Sequence, residues 1–229
     1  MIREEEAFER RKARKGKRRR ESGCPKKTVW PVWTATILLA TALAGCGAAR
    51  PSKYYQLTLP GDQAAAQGAD PVPATLLLGP LSASHLYRED RIVYSSPGEQ
   101  MGMYEYQRWA EPPTEMIQEV LLRELQTSSH YKAVYVERSN AGGDFLIRGR
   151  LYDFKEISGT AMLAKVTFEL EMRDLKSGST VWTHYYTHDE PVSGRDVSAV
   201  VAALNRNVQA ALKEMLASLN QYFAGHPFK

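Results

Sequence analysis

Met162-Leu163-Ala164-Lys165-Val166-Thr167-Phe168-Glu169-Leu170-Glu171-Met172-Arg173-Asp174-Leu175 alternates apolar and polar side chains along nearly its whole length. Met162, Ala164, Val166, Phe168, Leu170 and Met172 fall on one side, and Lys165, Thr167, Glu169, Glu171 and Arg173 on the other. A repeat of two is that of an extended chain, so the stretch predicts a strand with one face on a core and one in water. Lys176-Ser177-Gly178-Ser179 then supplies turn residues before Thr180–His188, which predicts a hairpin with a bulge or short loop.

The apolar face of such a strand needs a cover, and two stretches with helical spacing supply it. From about Pro113 to Gln126, Met116, Ile117, Val120, Leu121 and Leu125 share one face, with prolines before the first turns and Glu115 and Glu119 near the positive end. From Asp196, a plausible N-cap, to Phe223, the apolar face runs through Val197, Val200, Val201, Leu204, Val208, Leu212, Met215, Leu219 and Tyr222, and Gly225 and Pro227 end it. The opposite face carries Asn, Gln, Arg and Lys, too few of them basic for a helix lying on a membrane, so packing on the sheet is expected. Further strands are expected at Tyr54–Leu59, stopped by Pro60-Gly61, at Thr75–Leu78, ended by Gly79-Pro80, and at Arg91–Ser95 and Gly102–Trp109. Tyr131–Glu137 follows and, after a turn at Asn140–Gly143, Phe145–Phe154. The fold class is then α+β: a largely antiparallel sheet with two helices packed on one face.

The chain has 229 residues and a formal charge of +4, which raises the question of nucleic acid. The charge sits at the front, where residues 1–45 hold 12 Lys/Arg against 5 Asp/Glu, leaving 18 against 21 for the remainder. The remainder is mildly acidic and has no Lys/Arg cluster after Arg50, so a phosphate-neutralising footprint is missing and no nucleic-acid partner is expected. The front is ordered as a basic run from Arg10 to Arg20, then apolar or small residues from Val32 to Gly45, which is the secretory order. An apolar run of roughly 14 residues falls short of the about 20 that span a bilayer, so cleavage is expected rather than retention.

Leu43-Ala44-Gly45-Cys46 resembles the lipobox of bacterial lipoproteins. That resemblance implies cleavage between Gly45 and Cys46, with diacylglycerol on the Cys46 thiol and an N-acyl lipid on the new terminus. Several acyl chains anchor stably where one does not. Residues 1–45 would then be a signal peptide with a long basic n-region, 46–53 a lipidated tether and 54–229 the domain. Gly47–Lys53 reaches at most roughly 25 Å, so the domain sits close to the headgroups. Gly47 after the cysteine, by resemblance to lipoprotein sorting in Gram-negative bacteria, implies the inner leaflet of the outer membrane, facing the periplasm. Cys24 lies upstream and Cys46 becomes a thioether, so no thiol remains for a disulfide, a metal or a nucleophile.

Candidate chemistry is sparse. His184 and His188 have the spacing of zinc ligands on a helix, but Val181–Thr187 reads as strand, where the two rings stand roughly 13 Å apart, too far to share one ion. No Gly-x-Ser-x-Gly elbow, phosphate-cradling glycine loop or recognisable carboxylate pair is present, so no catalytic residue, no metal and no cofactor beyond the covalent lipid is expected. Arg108-Trp109-Ala110-Glu111-Pro112-Pro113 is a dense strand-to-helix junction. Two readings stay open there: a corner staple with Trp109 buried and Arg108 paired to Glu105 or Glu111, or a partner contact, since Trp and Arg dominate binding hot spots.

Taken in order, the lipobox ending at Cys46, Tyr54-Tyr55-Gln56-Leu57, the Arg108–Pro113 junction with its Leu-rich helix, and Gly149-Arg150-Leu151 followed by a hairpin and a long terminal helix resemble one family. It is that of the auxiliary lipoproteins of ABC-type transport systems, in particular those accompanying MCE (mammalian cell entry) lipid-transport proteins. The resemblance implies a non-catalytic accessory component. Its expected partners are an MCE-type periplasmic protein, an ABC permease complex and the membrane itself, with phospholipid or another hydrophobic compound as cargo. Tyr54, Tyr55, Leu57, Arg108 and Trp109 would mark the family junction or a partner contact. The alternatives are a stand-alone carrier sheltering a lipid ligand between sheet and helices, and a structural lipoprotein of envelope assembly.

Overall fold

Alternation and helical spacing produce eight strands and two long helices in a computed structural model that describes residues 50–58, 71–96, 100–137, 140 and 142–227. The strands are β1 (Lys53–Tyr55), β2 (Val72–Ala83), β3 (Arg91–Ser96), β4 (Gln100–Trp109), β5 (Tyr131–Val136), β6 (Phe145–Ile157), β7 (Leu163–Asp174) and β8 (Thr180–Pro191). The helices are α1 (Pro113–Thr127), between β4 and β5, and α2 (Val197–Gly225), after β8. Residues Arg50–Lys229 form one compact unit.

The fold is α+β, and its single sheet is organised by β6. One edge of β6 pairs antiparallel with β7 from Phe145↔Asp174 to Ile157↔Leu163, and β7 pairs antiparallel with β8. The other edge is shared: β2 runs parallel to its first half, Leu76↔Phe145 to Ala83↔Leu151, and β3 runs parallel to its end, Val93↔Lys155 to Ser95↔Ile157. Beyond β2 lies β5, and beyond β3 lie β4 and then β1. The longest ladders are antiparallel, as expected, while β1/β4, β2/β5, β2/β6 and β3/β6 are parallel.

Gly79-Pro80 does not end β2, contrary to the reading of the sequence. The β2/β6 register shifts between Leu78 and Leu81, so the proline, which has no N–H to give, stands in the irregularity. A Cβ on Gly79 would lie 2.6 Å from Glu137 Oε2 and 2.9 Å from Arg148 Cγ, so only glycine leaves room for the Arg148–Glu137 ion pair that crosses it. The first strand is also shorter than expected, ending at Tyr55.

Both helices cover the same face. α1 packs on β2 and β5, α2 on β7 and β8, and the two touch each other. All five residues expected on the inner face of α1 are buried. In α2 the buried stripe is Val200, Ala203, Leu204, Asn207, Val208, Ala211, Leu212, Met215, Leu219 and Phe223, and Asp196 caps it by accepting from the Ala199 N–H. Asn207 therefore lies on the inner face rather than the polar one. It is 1% exposed, its Nδ2 donates to the Ala164 and His188 carbonyls at 2.9 Å, and its Oδ1 accepts from the Tyr186 hydroxyl at 2.8 Å. Asn207→Ala strands these partners in the interior, and a loss of about 1–3 kcal/mol in urea unfolding is expected; an unchanged midpoint would show that the clasp contributes nothing.

Two buried tyrosines, Tyr87 and Tyr131, and the half-buried Tyr104 set an alkaline limit. Burial, followed by the charge of Asp153, raises the Tyr87 pKa; burial alone raises that of Tyr131; burial, followed by the bond to the Glu156 carboxylate, raises that of Tyr104. Unfolded tyrosines ionise near 10.0 while these stay neutral. Their contribution to stability is thus complete below that pH and is lost as pH climbs toward the raised folded values. Tyrosinate absorbance should show these three ionising only as the fold is lost, and their titration near pH 10 in the intact fold would contradict the assignment.

Candidate functional site

The Tyr54-Tyr55 and Arg108-Trp109 motifs are register neighbours. β1 lies parallel to the end of β4, Lys53↔Gln107, Tyr54↔Arg108 and Tyr55↔Trp109, so the tyrosine pair and the Arg-Trp pair, far apart in the chain, share one edge of the sheet. The Ala110 N–H donates to the Tyr55 carbonyl at 2.6 Å and the Tyr55 hydroxyl to Gln107 Oε1 at 2.8 Å. Leu57 is 4% exposed in the core, and the next N–H, of Thr58, donates to Asn205 Oδ1 on α2 at 2.9 Å. The segment from Lys53 to Thr58 is thus a strap that crosses from the sheet edge to the helix layer. Cys46 and Gly45 lie outside the described residues.

Trp109 is 1% exposed and its ring sits 5.2 Å from that of Phe154. In burying Trp109 the structure matches one half of the corner-staple reading, and the indole is not available at the surface. Arg108 pairs with neither Glu105 nor Glu111: its Nη1 donates to both carboxylate oxygens of Asp90, at 2.7 and 3.0 Å. Asp90 is the partner because its own carbonyl accepts the Trp109 N–H at 2.6 Å, which brings the turn before β3 against the end of β4. Past the staple, Pro112-Pro113 turns the chain into α1, with Pro113 at a helix start where a missing N–H costs nothing. A groove of about 200 Å³, lined by Leu57, Ala110, Met116 and Val120 with Glu111 and Glu119, runs beside the strap. Of the flagged residues that the structure describes, Tyr54 alone is well exposed, at 64%.

Away from the helices the sheet is open, and here sequence reading missed a second feature. Arg148, Arg150 and Tyr152 project from β6 at period two, beside Glu169 and Glu171 of β7 and Tyr185 of β8, in the register Arg150↔Glu169↔Tyr185. The Tyr152 hydroxyl donates to Glu169 Oε2 at 3.0 Å, which raises its pKa. The Arg150 guanidinium stands 5.3 Å from the Tyr152 ring centroid, and the Tyr152 and Tyr185 rings are 6.1 Å apart. Arg148, Arg150, Tyr152, Glu169 and Glu171, without Tyr185, border a shallow concavity of about 420 Å³. The signal was present in the sequence as Arg-x-Arg-x-Tyr on the polar side of a strand.

His184 and His188 lie in β8, as expected: His184 Nε2 is 3.0 Å from Glu214 Oε1 on α2, and His188 Nε2 is 3.6 Å from Glu190 Oε2. Among the described residues, no group of His, Cys, Asp or Glu is placed to hold a metal, and no helix is long and apolar enough to cross a membrane.

A family model described as the ABC-type transport auxiliary lipoprotein component matches residues 55–216. Among solved structures, the chain is similar to a protein from Xanthomonas campestris at 21% identity and a TM-score of 0.62, covering 72% of this chain and 92% of that one. A second, uncharacterised protein is similar at 13% identity and a TM-score of 0.59, covering 74% and 99%. At such identities these likenesses establish the fold alone. No curated protein matches the chain.

Proposed function

Because the chain belongs to the family of ABC-type transport auxiliary lipoprotein components, matched over residues 55–216, we propose that it is the non-catalytic accessory of an MCE-type system. That system moves phospholipid or another hydrophobic compound between the inner and outer membranes. Acylated Cys46 holds it at the inner leaflet of the outer membrane, and the open face of the sheet with its β5 and β8 edges docks the periplasmic end of the transporter. The observation that carries the reading is the family match, which runs from Tyr55 at the end of β1 through β2–β8 and α1 to Leu216 within α2. Its support is the open face, where Arg150, Tyr152 and Tyr185 are of the types favoured in the cores of binding surfaces.

Detergent-solubilised protein carrying an affinity tag is expected to bring down MCE and permease components. Tyr152→Ser combined with Tyr185→Ser should lower that recovery without lowering the unfolding midpoint. Recovery of no MCE or permease component with the wild-type protein would sink the proposal. The carrier alternative gains no support from the sheet–helix interface, which Ala203, Leu204, Val208, Ala211, Leu212 and Met215 fill at 1% exposure or less. A drug-sized ligand needs several hundred Å³ of enclosed space.

A further inference from the structure

We infer that the β1 edge of the sheet rests in the phospholipid headgroup layer, with Tyr54 in contact with lipid and β8 held farthest from the bilayer. The inference rests on the reading of Cys46 as the lipidated residue and deepens it by fixing which way the domain faces. Three observations carry it, and the first is length. Tyr55, Leu57 and Thr58 are held to the domain, and Arg50 already lies against it, its guanidinium 5.7 Å from the Tyr106 ring centroid. Only four peptide steps separate Arg50 from Cys46, at most roughly 14 Å of chain, while the headgroup layer itself is about 5–7 Å thick on each side.

The second observation is charge. Between Cys46 and Asp62 the chain contains Arg50 and Lys53 and no acidic residue, so the tether itself brings only cations to phosphate-bearing headgroups, while the carboxylates of Glu111 and Glu119 line the groove beside it. The third is the side chain at the edge. Tyr54 is 64% exposed, the most exposed of the large hydrophobic residues described, and β1 has β4 as a neighbour on one side only. A ring with an apolar body and a polar tip is suited to the layer between lipid tails and water.

The sheet supplies a ruler. Along the path β1–β4–β3–β6–β7–β8 Tyr54 and Tyr185 stand on opposite edges, five strand spacings or roughly 24 Å apart. The mature, lipidated protein is reconstituted into phosphatidylethanolamine–phosphatidylglycerol vesicles, with or without lipid brominated on its acyl chains near the headgroup, as wild type, Tyr54→Trp or Tyr185→Trp. The two tryptophans of the mature chain, Trp109 and Trp182, are buried, so the added signal is read as a difference from wild type. The expected result is a blue shift and loss of most of the added fluorescence for Tyr54→Trp, and neither for Tyr185→Trp. Tyr54→Trp unquenched on vesicle-bound protein, or both variants quenched alike, would overturn the orientation. A blue shift at Tyr54→Trp that persists in detergent and disappears on dilution would overturn it too, by showing a second copy on this edge. Wild-type protein that fails to stay with the vesicles would instead refute the lipidation of Cys46.

Discussion

Cys46→Ala is expected to take no label from a metabolic fatty-acid probe, while the wild-type protein and Cys24→Ala label equally. The variant should also remain longer by the 45 residues that precede Cys46. The size of the effect follows from chain arithmetic: one acyl chain gives a membrane affinity near 10⁴ M⁻¹, and each buried methylene adds about 0.8 kcal/mol. A terminus with several chains is therefore effectively permanent, and losing all of them removes the whole anchor. Neither remaining feature replaces it, because the apolar run before Gly45 is too short to span and α2 spends its apolar face on β7 and β8. Equal labelling of Cys46→Ala and wild type, or no labelling of either, would remove the membrane anchor from the functional proposal and with it the inferred orientation.

Trp109→Ala should cost about 3–5 kcal/mol of unfolding free energy, a large share of the 5–15 kcal/mol that typically holds a domain together. The indole is 1% exposed beside Phe154, and its Nε1 has no hydrogen-bond partner among the described residues, so the loss is one of packing. Trp109→Phe keeps an aromatic contact with Phe154 and should cost less. Arg108→Ala should cost no more than about 1 kcal/mol, since its pair with Asp90 is partly in water. Urea unfolding of the three variants separates these expectations. A Trp109→Ala protein of normal stability that no longer recovers transporter components would reverse the roles and make the junction a partner contact.

Which elements could be read from sequence follows from what each signal encodes. The alternation from Met162 to Leu175 names the face each residue takes, and Ala164, Val166, Phe168, Leu170 and Met172 are all buried. The inner face of α1 was legible for the same reason, and the Asp196 cap because a cap is a local arrangement. Period says nothing about neighbours. That β6 divides one edge between β2 and β3, and that Tyr54 pairs with Arg108, are choices made between segments that no window of sequence contains. Asn207 was misplaced because composition put asparagine with the polar face, whereas its position sits in the buried stripe and its three bonds are made to other elements. Asp90 is not legible as the partner of Arg108 because Glu105 and Glu111 are the carboxylates nearest to it in sequence, while the one that pairs arrives from the turn before β3.

The strap has a mechanical consequence. With the β1 edge toward the bilayer, tension from the lipid acts across the strand, so it peels the pairs at Lys53, Tyr54 and Tyr55 in sequence instead of loading them together. Leu57, held in the core, and the Thr58–Asn205 bond stop the peel. Releasing the four residues from Lys53 to Gln56 adds roughly 14 Å of slack before the packed interior bears any strain. If Cys46 carries the lipid as proposed, a domain anchored this way would follow a moving partner over that distance and re-zip when the tension is released.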